Sequence, residues 1–449
     1  MMTTPEPSTS SASTRNIAWI VLVSLLAAVL LSIVLVIVVF GGARENVISA
    51  AVLLAFAAGA GLLGVLSARR SDQPQRWALI AAGWLALAGT ILVIWPGVVE
   101  TAAIAWVAPV LLLALVVWMT LRVRRELHSR IRPWLIYPVF ALIACAALAA
   151  GYETVQESLD RRAHPMHGQL IDVGGGRRLY LSCTGSGSPT VILVQGAGEP
   201  SSIWAWIAPD VARDTRVCVY DRAGRGWSDP APSHQDGIAI AADLNALLTA
   251  AHEPSPYVVV GHSFGGLYTR AFAARYPNQT AGVVLLDGSD PHQFTLPGYP
   301  IFYEGYRRVS ALFPSLARFG IGRLTYRSQY DDLPTEASAE QYMFWCTARH
   351  ARSFRDEWAA APLAMRQAGS LVTLGNRPLM VVTALKDAQE GWAALQGQVP
   401  KLSSNSSHWS LATTSHSSLI EDKADAAFAS QAIREVVTAV RTSKPLPRH

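Results

Sequence analysis

One serine in this 449-residue chain stands where its neighbours could make it reactive. Ser263 lies in the run Val258-Val259-Val260-Gly261-His262-Ser263-Phe264-Gly265-Gly266, where apolar β-branched residues lead straight into a serine flanked by small ones. A helical pattern begins at once, Leu267 to Tyr276, and Pro277 closes it. Gly-x-Ser-x-Gly between a strand and a helix is the pattern of a nucleophile elbow, a sharp turn that lifts the hydroxyl out of the sheet. Glycine suits positions 261 and 265, where a Cβ would clash with the turn or the neighbouring strand. A serine hydroxyl attacks a carbonyl only when a base takes its proton and a third group orients that base. The chemistry to look for is therefore acyl transfer, with a histidine and a carboxylate elsewhere in the chain.

The elements that must position such a group begin near residue 164. Arg178–Cys183 reads as a short strand after a triple-glycine turn. Thr190–Val194 is a buried strand running into Gln195-Gly196-Ala197-Gly198, and Arg216–Tyr220 is another, running into Asp221–Ser228. A helical stretch covers roughly 237–252. Strands follow at Gly282–Asp287 and Pro378–Ala384, and Lys423–Arg441 reads as the final helix. Apolar strands separated by helices call for a doubly wound, mostly parallel α/β sheet.

The first third of the chain has a different texture. Hydrophobic residues make up 51% of the whole and charged ones only 15%, and the imbalance is concentrated before residue 151. Five apolar runs, at about 17–40, 47–66, 77–95, 101–121 and 134–151, contain no Asp, Glu, Lys, Arg or His. Each is about long enough to cross a bilayer core of roughly 30 Å, so an all-α bundle of about five membrane helices is expected. A cleaved signal peptide has a shorter core and is not followed by four more spans. Arg69, Arg70 and Arg76, then Arg122, Arg124, Arg125, Arg130 and Arg132, fall in alternate loops. By the positive-inside rule those loops and the N-terminus are cytoplasmic, which puts everything after Gly151 outside the cell membrane. The net charge of +5 goes largely with these loops, so it favours anionic lipid and not nucleic acid. Uncharged spans argue against an ion-coupled pathway and for an anchor. Residues 1–16, rich in Ser, Thr and Pro, are expected to be a disordered tail.

From about Gln169 to Val440 the chain resembles the α/β-hydrolase-fold enzymes. The strand-to-glycine turn at Gln195–Gly198, the Asp-x-x-Gly-x-Gly-x-Ser stretch at Asp221–Ser228, the elbow at Gly261–Gly266 and a late histidine match that family in order. The resemblance implies a core at 169–290 and 378–442, a helical cap insert at 291–377 and a linker at 152–168. It implies Ser263 as nucleophile and His416, in Thr413-Thr414-Ser415-His416-Ser417, as base. Ser415 stands where the family usually has Gly. His408 is a rival that falls on an apparent strand, 407–411, and His262 is expected to pack against the sheet. The acid is expected at Asp387, after the strand 378–384. Asp290 is the alternative one strand earlier, with Asp287 beside it read as a solvated strand-end residue. The backbone N–H groups of Ala197 and Phe264 are the expected oxyanion donors, and Gln195 stands where relatives frequently have His.

The cap insert is dense in aromatics, which implies a lipophilic substrate. Cys183 and Cys218 lie on strands that neighbour each other in this fold, so a disulfide and two buried thiols are both open. Cofactor and metal are expected to be absent, since no His/Asp/Cys cluster has ligand spacing. The reading is a membrane-anchored serine hydrolase acting on carboxylic esters. Peptidase, thioesterase or acyltransferase chemistry is open to the same fold, and the rival classes are a non-catalytic membrane sensor and a transport protein.

Overall fold

The computed structural model describes residues 10–128, 132–231 and 235–447. Contacts divide the chain into two compact units. The first comprises the chain up to Leu159 together with Pro314–Gly320, and the second comprises Asp160–Phe313 and Ile321–His449.

Five helices of the first unit are long and apolar enough to cross a membrane. They are Ser10–Ile33 with its continuation Val34–Val39, then Glu45–Arg70, Trp77–Ile94, Ala102–Glu126 and Tyr137–Ala163. Their outer faces are open and apolar: Ile94 is 76% exposed and Leu142 71%. Buried faces of this kind would belong to a soluble core, whereas open ones suit lipid. The helices are joined through small residues: a Cβ on Gly59 would meet Ala28 of the first helix, and one on Gly64 would meet Leu79 of the third.

Three boundaries differ from expectation. Helix begins at Ser10, so 10–16 is not a coil; residues 1–9 lie outside the described residues. The expected linker is mostly helix, because Glu153–Ala163 holds no Gly or Pro and continues the fifth span. Within the expected cap, Pro314–Gly320 belongs to the first unit, where Arg318 donates to the Glu45 carboxylate and to the Val99 carbonyl.

The second unit is built on an eight-stranded sheet. Its strands are β1 (Gln169–Asp172), β2 (Arg178–Thr184), β3 (Val191–Val194), β4 (Val217–Tyr220), β5 (Tyr257–His262), β6 (Thr280–Leu286), β7 (Leu379–Lys386) and β8 (Ser406–Ser415). Their order is β1-β2-β4-β3-β5-β6-β7-β8, antiparallel only where β2 meets β1 and β4. Every residue of β3 and β5 is buried, as helices on both faces of a parallel sheet require. The flanking helices include Gly237–Ala250, Phe264–Arg275 and Lys423–Thr442. Cys183 and Cys218 face each other in the β2–β4 ladder and form a disulfide. Between β6 and β7 lie helices that include Tyr299–Ser310, Thr335–Trp345 and Ala348–Ala368.

Candidate active site

Ser263 sits between β5 and its helix at φ 53°, ψ −126°, a backbone conformation that non-glycine residues rarely adopt. Strain of this sort persists only where the surroundings enforce it. Here the Ser263 N–H donates to the Leu286 carbonyl, and the Ser263 carbonyl accepts from Gly266 and Ser289. The two elbow glycines allow the close approach. A Cβ at Gly261 would lie 2.4 Å from the Gly265 carbonyl oxygen, and one at Gly265 would lie 2.0 Å from that of Val194.

His416 follows the end of β8, which is longer than the sequence implied. Its ring lies 4.6 Å, centre to centre, from that of His262, the residue before the nucleophile. His262 is buried, as expected, and its Nε2 bonds the His416 carbonyl at 3.0 Å, tying the late loop to the elbow. His408 is occupied elsewhere, with its Nε2 2.8 Å from the Thr383 hydroxyl.

The carboxylate bonded to His416 is Asp287, at 2.6 Å from Nδ1, and neither Asp387 nor Asp290. Asp387 is exposed in a turn at φ 61°, just past a register irregularity between Ala384 and Lys386. Two extra β8 residues are accommodated between the Ala384–Leu411 and Lys386–Ser415 pairs, so β7 ends here and the chain turns away with Asp387 in solvent. Asp290 is consumed by Arg270, by the His292 ring and by the His292 N–H. Asp287, far from being solvated, is buried and accepts from the Trp392 indole at 2.8 Å and the Ala384 N–H at 3.1 Å. Desolvation works against its charge, but the bond and charge of His416 and the Trp392 donor hold its carboxyl below the usual range. For His416, desolvation likewise opposes charge; Asp287 outweighs it, with Glu199 and Glu421 adding, and its pKa is raised. That is the pairing expected of a carboxylate that fixes one imidazole tautomer and stabilises the imidazolium.

Among the described residues, the N–H groups of Ala197 and Phe264 have no hydrogen-bond acceptor, which leaves both free for an oxyanion. Gln195 is buried and its amide donates to the Tyr220 carbonyl, bracing the strand ends. Glu199, which the sequence reading passed over, folds back so that Oε2 accepts the Gly196 N–H at 2.7 Å and lies 3.7 Å from His262 Nδ1. The Glu421 carboxyl is pushed up to about 8, by desolvation first and by Glu199 second. Above the elbow, Trp358 of the helix Ala348–Ala368 stacks on Phe264 at 5.2 Å, and Tyr303, Tyr306 and Phe354 pack around it. The one His/Cys/acid cluster with ligand spacing among the described residues is Cys183, Cys218 and Glu253, whose thiols are consumed by the disulfide.

Known proteins agree with this architecture. An uncharacterised protein of Schizosaccharomyces pombe is 29% identical over 277 residues, covering 52% of this chain and 49% of its own length. The pimeloyl-[acyl-carrier protein] methyl ester esterase of Chromobacterium violaceum is 36% identical over 110 residues, 24% of this chain and 40% of the esterase. The chain thus spans about half or less of the curated relatives it matches. The Cif epoxide hydrolase of Acinetobacter nosocomialis superposes with a TM-score of 0.52 at 15% identity, covering 65% of this chain and 96% of that one, a likeness of fold. The family model described as alpha/beta hydrolase fold matches residues 189–422, from just before β3 to just past the short helix Ser418–Glu421 after His416, so the chain belongs to the α/β-hydrolase family.

Proposed function

We propose that the protein is a membrane-anchored serine hydrolase that cleaves carboxylic ester-type bonds of an apolar substrate. The observation that carries this reading is the 2.6 Å Asp287–His416 bond, whose histidine is tied through His262 to an elbow that holds Ser263 at φ 53°. Ser263 Oγ attacks the ester carbonyl while His416 accepts its proton, and Asp287 stabilises the resulting imidazolium. The oxyanion is held by the N–H groups of Ala197 and Phe264. Collapse expels the alcohol, which takes the proton from His416. Water, deprotonated by the same histidine, then releases the acid from Ser263. The aromatic residues of the cap give the acyl or alcohol group an apolar wall, and a relative named as a methyl ester esterase supports the ester class. The Arg-rich loops and the Cys183–Cys218 disulfide favour an extracytoplasmic active site.

Hydrolysis of p-nitrophenyl butyrate by the full chain in detergent tests the reading. Turnover is expected for the wild type and a loss of at least about 10³-fold for His416→Ala. Equal rates in the two proteins would overturn it.

A further inference from the structure

Glu357 is a carboxylate that the proposed reaction does not use, yet it lies at the centre of a buried, heavily bonded cluster that includes Tyr268 of the elbow helix. It sits on the helix Ala348–Ala368 and is 2% exposed, with Arg222 at 3% and Arg225 at 1% beside it. Glu357 Oε1 lies 2.7 Å from Arg222 and accepts from the Tyr268 hydroxyl at 2.8 Å. Its Oε2 accepts from Arg225 and from the Gly198 N–H. Arg222, oriented by Glu357, donates to two successive carbonyls at the end of β3, Gln195 at 2.7 Å and Gly196 at 2.6 Å.

Those carbonyls matter because a peptide unit is planar and trans. The Gly196 carbonyl and the Ala197 N–H belong to one such unit and point in opposite directions. Gripping the carbonyl on one side therefore sets the direction of the N–H on the other, and this unit borders the nucleophile: a Cβ on Gly196 would lie 3.0 Å from Ser263 Cβ. The Gln195 carbonyl fixes the preceding unit, and the Gly198 N–H bond to Glu357 fixes the turn beyond. A cap-borne carboxylate and one core arginine thus hold the chain on both sides of a single donor.

We propose that Glu357, acting through Arg222, is a positioning residue that aims the Ala197 N–H into the oxyanion hole, so that docking of this cap helix completes the catalytic site. The inference rests on the hydrolase reading. Oxyanion donors contribute when aimed at the transition-state oxygen and not at the ground-state carbonyl, so the loss falls on kcat and not on KM.

The test uses the full chain in detergent with p-nitrophenyl butyrate and a fluorophosphonate to count active sites. Glu357→Gln and Arg222→Lys are each expected to lower kcat per labelled site by about 10- to 100-fold, with KM changed less than about threefold. Lysine keeps the charge but cannot fork onto both carbonyls. Inhibition by butylboronic acid, whose tetrahedral adduct places an oxygen in the hole, is expected to weaken about tenfold or more in both. Thr215→Val, which removes a buried bond to the Pro189 carbonyl ahead of β3 and touches neither Glu357 nor the turn, is expected to lower thermal stability while kcat per site stays within about threefold. Unchanged kcat and boronate inhibition per labelled site in Glu357→Gln and Arg222→Lys, whatever fraction is folded, would overturn the proposal and leave the hydrolase reading standing. A folded wild type that neither labels nor turns over ester would overturn both.

Discussion

Asp287 Oδ2 and His416 Nδ1 lie 2.6 Å apart, although 129 residues separate them in the chain. Asp287 follows β6 and His416 follows β8, with β7 lying between those strands in the sheet. The acid therefore reaches across the end of the intervening strand, and Trp392, from the segment after β7, closes over it.

If this pair orients the base, Asp287→Asn lowers kcat for ester hydrolysis by about 10⁴-fold, because the amide favours the wrong tautomer. Asp387→Asn, altering an exposed turn, leaves kcat within about twofold. Steady-state kinetics on the two variants separates the candidates. A large loss at 387 with none at 287 would reverse the assignment.

The difference between these aspartates also shows what the sequence could reveal. The elbow was legible because its glycines, its apolar strand and its helix lie within about twenty consecutive residues and obey local sterics. His416 was legible by its place after the last strand. Choosing among Asp287, Asp290 and Asp387 needed information no local pattern holds: the turn that leaves Asp387 in solvent beyond β7, the cover from Trp392 and the competing guanidinium of Arg270. Chain order could not place Glu199 and Glu357 either, since their partners are set by a folded-back turn and a docked cap helix. Pro314–Gly320 carries no composition cue that would separate it from the cap around it.

The pH dependence follows from the His416 environment. Only the neutral imidazole can accept the serine proton, and Asp287, helped by Glu199 and Glu421, raises its pKa above 6.5. kcat/KM is therefore expected to rise with pH along a limb centred above 6.5. Glu421, with its pKa near 8, adds its negative charge at the alkaline end. Glu421→Gln should match wild type below about pH 7 and reach its plateau at lower pH. A wild-type limb centred below pH 6.5 would contradict this electrostatic account.

The Cys183–Cys218 disulfide links residues 35 apart in sequence and joins β2 to β4, away from the elbow. Replacing both with alanine is expected to cost about 3 kcal/mol, equivalent to about 6–12 °C in the thermal midpoint of the hydrolase unit. kcat per labelled site should not change. Scanning fluorimetry with active-site counting reads both quantities.

Orientation has its own test. An alkaline phosphatase fusion after His449 is expected to be active and a GFP fusion at the same point dark, because an odd number of spans from a cytoplasmic N-terminus ends outside. A bright GFP fusion with a silent phosphatase would place the hydrolase unit in the cytoplasm.

Fluorophosphonate labelling of the full chain in membranes tests most directly whether Ser263 is the nucleophile. A covalent adduct is predicted on the peptide that carries Ser263, lost in Ser263→Ala and slowed at least about 10²-fold in His416→Ala. Folded wild-type protein that stays unlabelled, or labelling that survives Ser263→Ala, would contradict that role.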